Sequence, residues 1–178
     1  DIEIRFRHPR SNARCRLDWA VPNDKMPDAQ RLMERAVNDG TKIFIIQSAD
    51  EWSEFIAVNS KAVFKDKFFV GTNWLGGVMF NKPHDIFKEL PVGNALNWPY
   101  QALIHTGVER IGLVMEGEEL LVGAYHTYPM AIGTAMGIVP MGKGSVLFST
   151  LDIYGNIIND SAAGLVAKKL IFNMIDFK

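Results

Sequence analysis

The sequence predicts a single α/β domain with a mostly parallel sheet and helices on both faces. Three apolar runs have the composition of buried strands, KIFIIQ at 42–47, RIGLVM at 110–115 and VLFSTL at 146–151. Amphipathic helical patterns alternate with these runs, and such alternation is typical of parallel sheets. A chain of 178 residues is long enough for one domain with a substantial core.

Residues 1–25 differ in composition from the rest and are expected to form an N-terminal arm or inter-domain segment. The alternation at 2–6 predicts a short strand, and the following HPRSNARCR is rich in arginine. The arm is either a solvated segment, a contact with a neighbouring domain or an anion-binding patch. Residues 26–178 then form the α/β domain.

Helical periodicity predicts three main helices. The first covers 24–39, where Pro27 suits a first-turn position and Gly40 ends the helix. The second follows the first buried strand and directs Trp52, Phe55 and Ile56 inward. The third closes the chain, with an apolar face running from residue 163 to 175.

The middle of the chain, 63–101, is less regular. A short strand is predicted at 68–70, one helical turn at 84–87, and a short helix over 100–104 that begins after a proline. The stretch 154–160 has the polar composition of a turn before the closing helix.

The stretch 120–153 contains two predicted strands, 120–125 and 146–151, on which neighbouring elements can pack. Between them lie His126, Tyr128 and a tract of small residues at 131–137. This stretch is either a β-hairpin with an irregular tip or a loop that presents His126 and Tyr128 to a ligand. The Gly-Lys-Gly at 142–144 is predicted to be a turn, because a phosphate-binding loop would precede a helix rather than a strand.

Composition and motif spacing argue against several function classes. A net charge of -1 gives no electrostatic basis for nucleic-acid binding, and no apolar run approaches the roughly 18 residues of a membrane span. The four histidines lack the spacing of a zinc motif, so neither a metal nor a cofactor is expected. Cys15 lies outside any glycine elbow, and no catalytic residue is assigned. Localisation stays open, with the periplasm and the extracellular space as candidates.

Aromatic and amide side chains in irregular stretches are the best candidates for a binding or interface surface. Such side chains serve sugar-binding surfaces and contacts between domains alike, and we favour a contact. The candidates are Trp74, Asn97, Trp98, Tyr100, Gln101, His126 and Tyr128.

Two segments carry a resemblance to a known family. LPVGNALNWPYQ at 90–101 and the Gly-Lys-Gly turn before VLFSTLDI resemble the C-terminal region of bacterial proteins of glycoside hydrolase family two, relatives of β-galactosidases, β-mannosidases and β-glucuronidases. The resemblance covers roughly residues 40–178. It implies a class I glutamine-amidotransferase-like domain of three-layer, flavodoxin-like topology, with an irregular β-hairpin.

The resemblance implies that this chain retains the fold but has neither glycosidase nor amidotransferase activity. Family-two glycosidases hold their catalytic glutamates in a separate barrel, which needs about 250 residues. Amidotransferases need a cysteine in a glycine-rich elbow, and this chain has none. We therefore expect a non-catalytic accessory domain of a multidomain glycosidase, with other domains of the parent, a second subunit or carbohydrate as partners. The alternatives are an autonomous amidotransferase-like enzyme and a stand-alone carbohydrate-binding module.

Overall fold

The computed structural model describes residues 2–4, 26–46, 49–70, 77–93, 95–96, 100–105, 111–127 and 130–177. Most of the arginine-rich arm, including Cys15, lies outside these ranges. The strands are β1 Ile2–Ile4, β2 Lys42–Ile45, β3 Val63–Phe69, β4 Gly77–Asn81, β5 Ile111–Glu116, β6 Glu119–Thr127, β7 Met130–Met141 and β8 Gly144–Ser149. The helices are α1 Met26–Asp39, α2 Ala49–Val58, α3 Gln101–His105, α4 Ile153–Ile157 and α5 Ala162–Asp176, and a 3₁₀ turn covers Asp85–Phe87.

All the described strands belong to one mixed sheet, and β7 is its hub. β7 pairs antiparallel with β6, with β8 and, through Leu113 opposite Thr134, with β5. β2 then adds to β8 and β1 adds to β2, both in parallel. β4 pairs antiparallel with β6, and β3 pairs antiparallel with β5.

The prediction of a mostly parallel, flavodoxin-like sheet is wrong. Among the described strands, β1–β2 and β2–β8 are the parallel pairings, and the other five are antiparallel. The physical reason is the length of the connections. Only positions 128 and 129 separate β6 from β7, and only Gly142 and Lys143 separate β7 from β8. A parallel crossover needs a dozen or more residues, so these connections can form only hairpins.

Helices lie against both faces of the central strands. The side chains of β2 alternate, with Ile43 and Ile45 in one buried cluster and Phe44 in the other. The first cluster also receives apolar residues of α1 and α2, and the second receives the inner face of α5. None of the described helices is both long enough and apolar enough to cross a membrane.

Several elements appear where the sequence predicted them, and others do not. Helices α1, α2 and α5 and strands β2, β5 and β8 are confirmed, as is the turn at 142–143. The small-residue tract 131–137 is not an irregular tip but the middle of β7. Strand β4 was not predicted, and the stretch 154–160 begins inside helix α4 rather than as a plain turn.

Side-chain contacts fasten α5 to the 3₁₀ turn. The amide of Asn173 donates to the carbonyl oxygens of Ile86 and Lys88, both at 2.9 Å. The ammonium group of Lys169 lies 2.6 Å from the carboxylate of Glu89 and lowers the pKa of that carboxyl group. Glu89 has a φ of 64°, in the left-handed region that non-glycine residues seldom adopt. These contacts hold the segment after β4 against the last helix.

Gly142 supplies the first prediction. Its φ is 60°, and a Cβ at this position would collide with the carbonyl oxygen of Val37 at the end of α1. We expect Gly142→Ala to lower the free energy of unfolding by about 1–3 kcal/mol, measured by urea denaturation. The control is Lys143→Ala at the exposed neighbouring position, which should change stability by less than about 0.5 kcal/mol. Equal losses from both variants would contradict this account of the turn.

Candidate functional site

Three neighbouring strands end together at one end of the sheet. In the register of β4, β6 and β7, Gly77 lies opposite His126, and His126 lies opposite Ala131. One residue further, Thr127 is paired with Met130. We call this set of residues, Gly77, His126, Thr127, Met130 and Ala131, the hairpin end.

Described residues at or near the hairpin end flank, in the sequence, the segments that contain most of the candidate residues. Residues 71–76, with Trp74, lead directly into Gly77, and 128–129, with Tyr128, join the two strands of the hairpin. The backbone amide of Leu96 donates to the carbonyl oxygen of Met79 at 2.6 Å, and Ala95 bridges Phe80 in antiparallel sense. The chain at Leu96 therefore runs toward Gly77 as it enters 97–99. Trp74, Asn97, Trp98 and Tyr128 themselves lie outside the described residues.

His126 lies within a strand rather than in a loop. It is part of β6, is half-buried, and has a strand neighbour on either side. The prediction that it follows directly on a strand ending at Tyr125 is therefore wrong by two residues. Gln101 is exposed at the first position of α3. Both residues stay candidates for a contact.

Tyr100 is a core residue, which corrects the expectation that it lies on a contact surface. Its side chain is 2% exposed, and its ring meets that of Phe87 edge-on at 6.4 Å. The hydroxyl group donates to the carbonyl oxygen of Pro91 at 2.7 Å, and the amide of Asn81 donates to the same oxygen at 2.9 Å. Burial raises the pKa of Tyr100 to about 12, and the hydrogen bond from Asn81 acts weakly in the opposite direction.

An exposed apolar row beside the hairpin end was not predicted from the sequence. Val78, Tyr125 and Ile132 lie opposite one another on β4, β6 and β7, so their side chains share one face of the sheet. Met130 is two residues from Ile132 and adds to the same face. Ile132 is 65% exposed and Met130 is 80% exposed.

Phe80 extends this apolar row along β4. It is exposed on the same face as Val78 and stands opposite Gly123. A Cβ at Gly123 would meet the ring of Phe80, so the glycine lets the aromatic ring lie across β6. The signal that could have revealed the row is the alternation of large and small residues in Met130-Ala131-Ile132-Gly133, which has the two-residue period of a strand.

The described part of the hairpin end is suited to a protein contact. Its side chains are an imidazole, a hydroxyl, a thioether and a methyl group beside the apolar row, and aromatic residues and methionine are enriched at interfaces. Across the described residues there is no group of three or more histidine, cysteine, aspartate or glutamate side chains arranged to hold a metal ion.

Comparison with known proteins yields structural similarity at very low sequence identity. No protein-family model and no curated protein sequence matches this chain. Among solved structures, the chain is similar to the cold-adapted β-galactosidase from Rahnella sp. R3, with a TM-score of 0.45 and 8% identity. The similarity covers 83% of this chain and 20% of that protein, so this chain spans about a fifth of its length. The family resemblance of this chain therefore stays a prediction from its sequence segments.

The buried hydroxyl group of Tyr100 gives the second prediction. Tyr100→Phe should lower the free energy of unfolding by about 1–3 kcal/mol, because Asn81 and Pro91 then lose a hydrogen-bond partner. In the wild type, the phenol of Tyr100 binds its proton more tightly in the folded state than in the unfolded state, because its pKa is raised on folding. Stability should therefore fall as the pH rises from 10.0 to about 12, and the variant should lack this part of the decline.

Tyr125→Phe is the matched control, because Tyr125 lies half-buried in the exposed row and not in the core. It should keep the wild-type dependence of stability on pH, measured by denaturant titration at successive pH values. A Tyr100→Phe variant with an unchanged alkaline decline would show that this phenol does not carry the effect.

Proposed function

We propose that this chain is a non-catalytic accessory domain of a multidomain glycoside hydrolase and that the hairpin end with its apolar row is its contact surface. The main observation is that strands β4, β6 and β7 are paired at Gly77, His126 and Ala131, beside the exposed side chains of Met130 and Ile132. The resemblance of 90–101 and 142–153 to family-two proteins supports the glycosidase context.

An exposed apolar row of this kind is best explained by a macromolecular partner. Apolar residues scattered singly over a surface are ordinary, but a contiguous apolar patch marks an interaction site. Here the side chains of Val78, Tyr125 and Ile132 are direct cross-strand neighbours, with Phe80 and Met130 adjoining them. Burial of Phe80 and Ile132 by a partner would remove apolar surface from water, which is favourable by about 25 cal/mol per Å².

The apolar row lies on paired strands, which give it an ordered backbone. The backbone of β6 is paired on both sides, with β4 and with β7, so the row stands on a central strand and not on a loop. A surface that is already ordered loses little conformational freedom when a partner binds, and that favours affinity. A small aromatic-rich platform of this kind suits the docking of a neighbouring domain.

The test begins with the open reading frame that contains this chain. The proposal requires a glycosidase barrel in it, and the barrel should be produced separately and titrated with residues 1–178. Met130→Glu combined with Ile132→Glu should weaken association at least about tenfold, because each buried carboxylate would face an apolar partner. Trp98→Ala combined with Tyr128→Ala should have a similar effect.

The control is Val58→Glu, which places one carboxylate on an apolar residue that is 84% exposed at the end of α2. This variant should bind like the wild type, and all three proteins should have wild-type melting temperatures. An open reading frame without a glycosidase barrel, or binding that the hairpin-end variants leave unchanged, would overturn the proposal.

A further inference from the structure

Methionine side chains differ sharply in their exposure to solvent across the part of the chain that the structure describes. Met130 is 80% exposed. The other methionines of known burial are at most 9% exposed, and they are Met33, Met79, Met115, Met136, Met141 and Met174. An exposed thioether sulfur is open to small oxidants, whereas a buried one must first be uncovered by local opening of the fold. An oxidant in solution should therefore react with Met130 well before it reaches these six core residues.

Met130 also stands in the proposed contact surface. It is the first residue of β7 and is paired with Thr127, the last residue of β6. Ile132 follows two residues later on the same strand, so the two side chains lie on one face of the sheet. That face carries the exposed apolar row. A chemical change at the sulfur of Met130 would therefore alter the contact surface and leave the core unchanged.

We propose that Met130 is a site of reversible oxidation by hydrogen peroxide and that its sulfoxide weakens binding at the apolar row. The thioether sulfur attacks one oxygen of the peroxide, so a sulfur–oxygen bond forms and the oxygen–oxygen bond breaks. The sulfur loses two electrons, and the departing hydroxide takes up the proton of the transferred hydroxyl group to leave as water. The reaction needs no cofactor from the protein, and methionine sulfoxide reductases reverse it.

The effect on binding follows from the polarity of the product. A thioether is a soft apolar group that fits an apolar partner closely, whereas a sulfoxide is polar and accepts hydrogen bonds from water. Burial against an apolar partner would strip that water from the sulfoxide oxygen without replacing its hydrogen bonds. This consequence rests on the proposed function, while the selective reactivity of Met130 rests on its exposure alone.

Selectivity is measured first, on the full chain with Cys15→Ser so that no thiol consumes the oxidant. After graded treatment with hydrogen peroxide, peptide mass spectrometry follows the addition of one oxygen atom to each methionine. Met130 should be oxidised at least about tenfold faster than any of the six buried methionines, because their oxidation awaits opening of the fold. A rate for Met130 no greater than theirs would overturn the assignment of the site.

Binding is measured next, by titrating the separately produced glycosidase barrel with the same chain before and after oxidation. Oxidation should raise the dissociation constant at least about tenfold, and treatment with the reductases should restore it. Met130→Leu keeps an apolar side chain of similar volume without the sulfur, so it should bind equally well before and after peroxide. This variant also separates Met130 from Met26, whose side chain lies outside the described residues and is followed in the same digest.

Met136→Leu is the matched control, because it removes a fully buried methionine from the same strand. It should lose binding on oxidation as the parent chain does. Bound barrel should in turn slow the oxidation of Met130, since a partner that prefers the thioether protects it. Undiminished binding by chains oxidised at Met130 would overturn this inference and leave the proposed function standing. A failure of the unoxidised chain to bind would instead overturn the proposed function, together with the effect of oxidation on binding.

Discussion

The pairing of β7 with β6 and β8 is the constraint on which the rest of the fold depends. Two-residue connections on either side of β7 oblige its neighbours to run antiparallel to it. β2 pairs in parallel with the other edge of β8. This pairing brings α1 and α2, which precede and follow β2, to the sheet. β6 in turn positions β4, which brings Gly77 beside His126. The apolar row and the hairpin end are thus consequences of one long central strand.

A buried polar contact links the end of β4 to Pro91 and Tyr100. Asn81, at the end of β4, and Tyr100 both donate to the carbonyl oxygen of Pro91. Because unsatisfied buried polar groups are costly, these bonds fix Pro91 and Tyr100 against the end of β4. That contact therefore depends on a tyrosine that the sequence suggested for the surface. Its role is to support the surface from beneath rather than to form part of it.

Apolar periodicity and short apolar runs predicted the elements that bury most of their apolar residues. Helices α1 and α5 and the buried strands β2 and β8 could be found because core packing left an unambiguous pattern in their residues. The pattern fails in β7, where small residues have low strand propensity, and in β4, where Asn81 is buried and Phe80 is exposed. The exposed row lies on these two strands and on β6, so it was not predicted, although the alternation at 130–133 has the two-residue period of a strand. Strand direction was also missed, because it depends on turn length and not on periodicity.

The sheet edge at β3 helps to explain why the contacts are assigned to faces rather than to edges. An exposed edge strand is a ready template for pairing, and proteins blunt it with lysines and bulges. β3 has Lys65 and Lys67, paired with Glu116 and Asp50, and its register shifts between Phe64 and Asp66. Addition of a strand there would have to bridge an irregular register. The exposed apolar row has no charged residue among its members, and it is the surface on which a partner is expected.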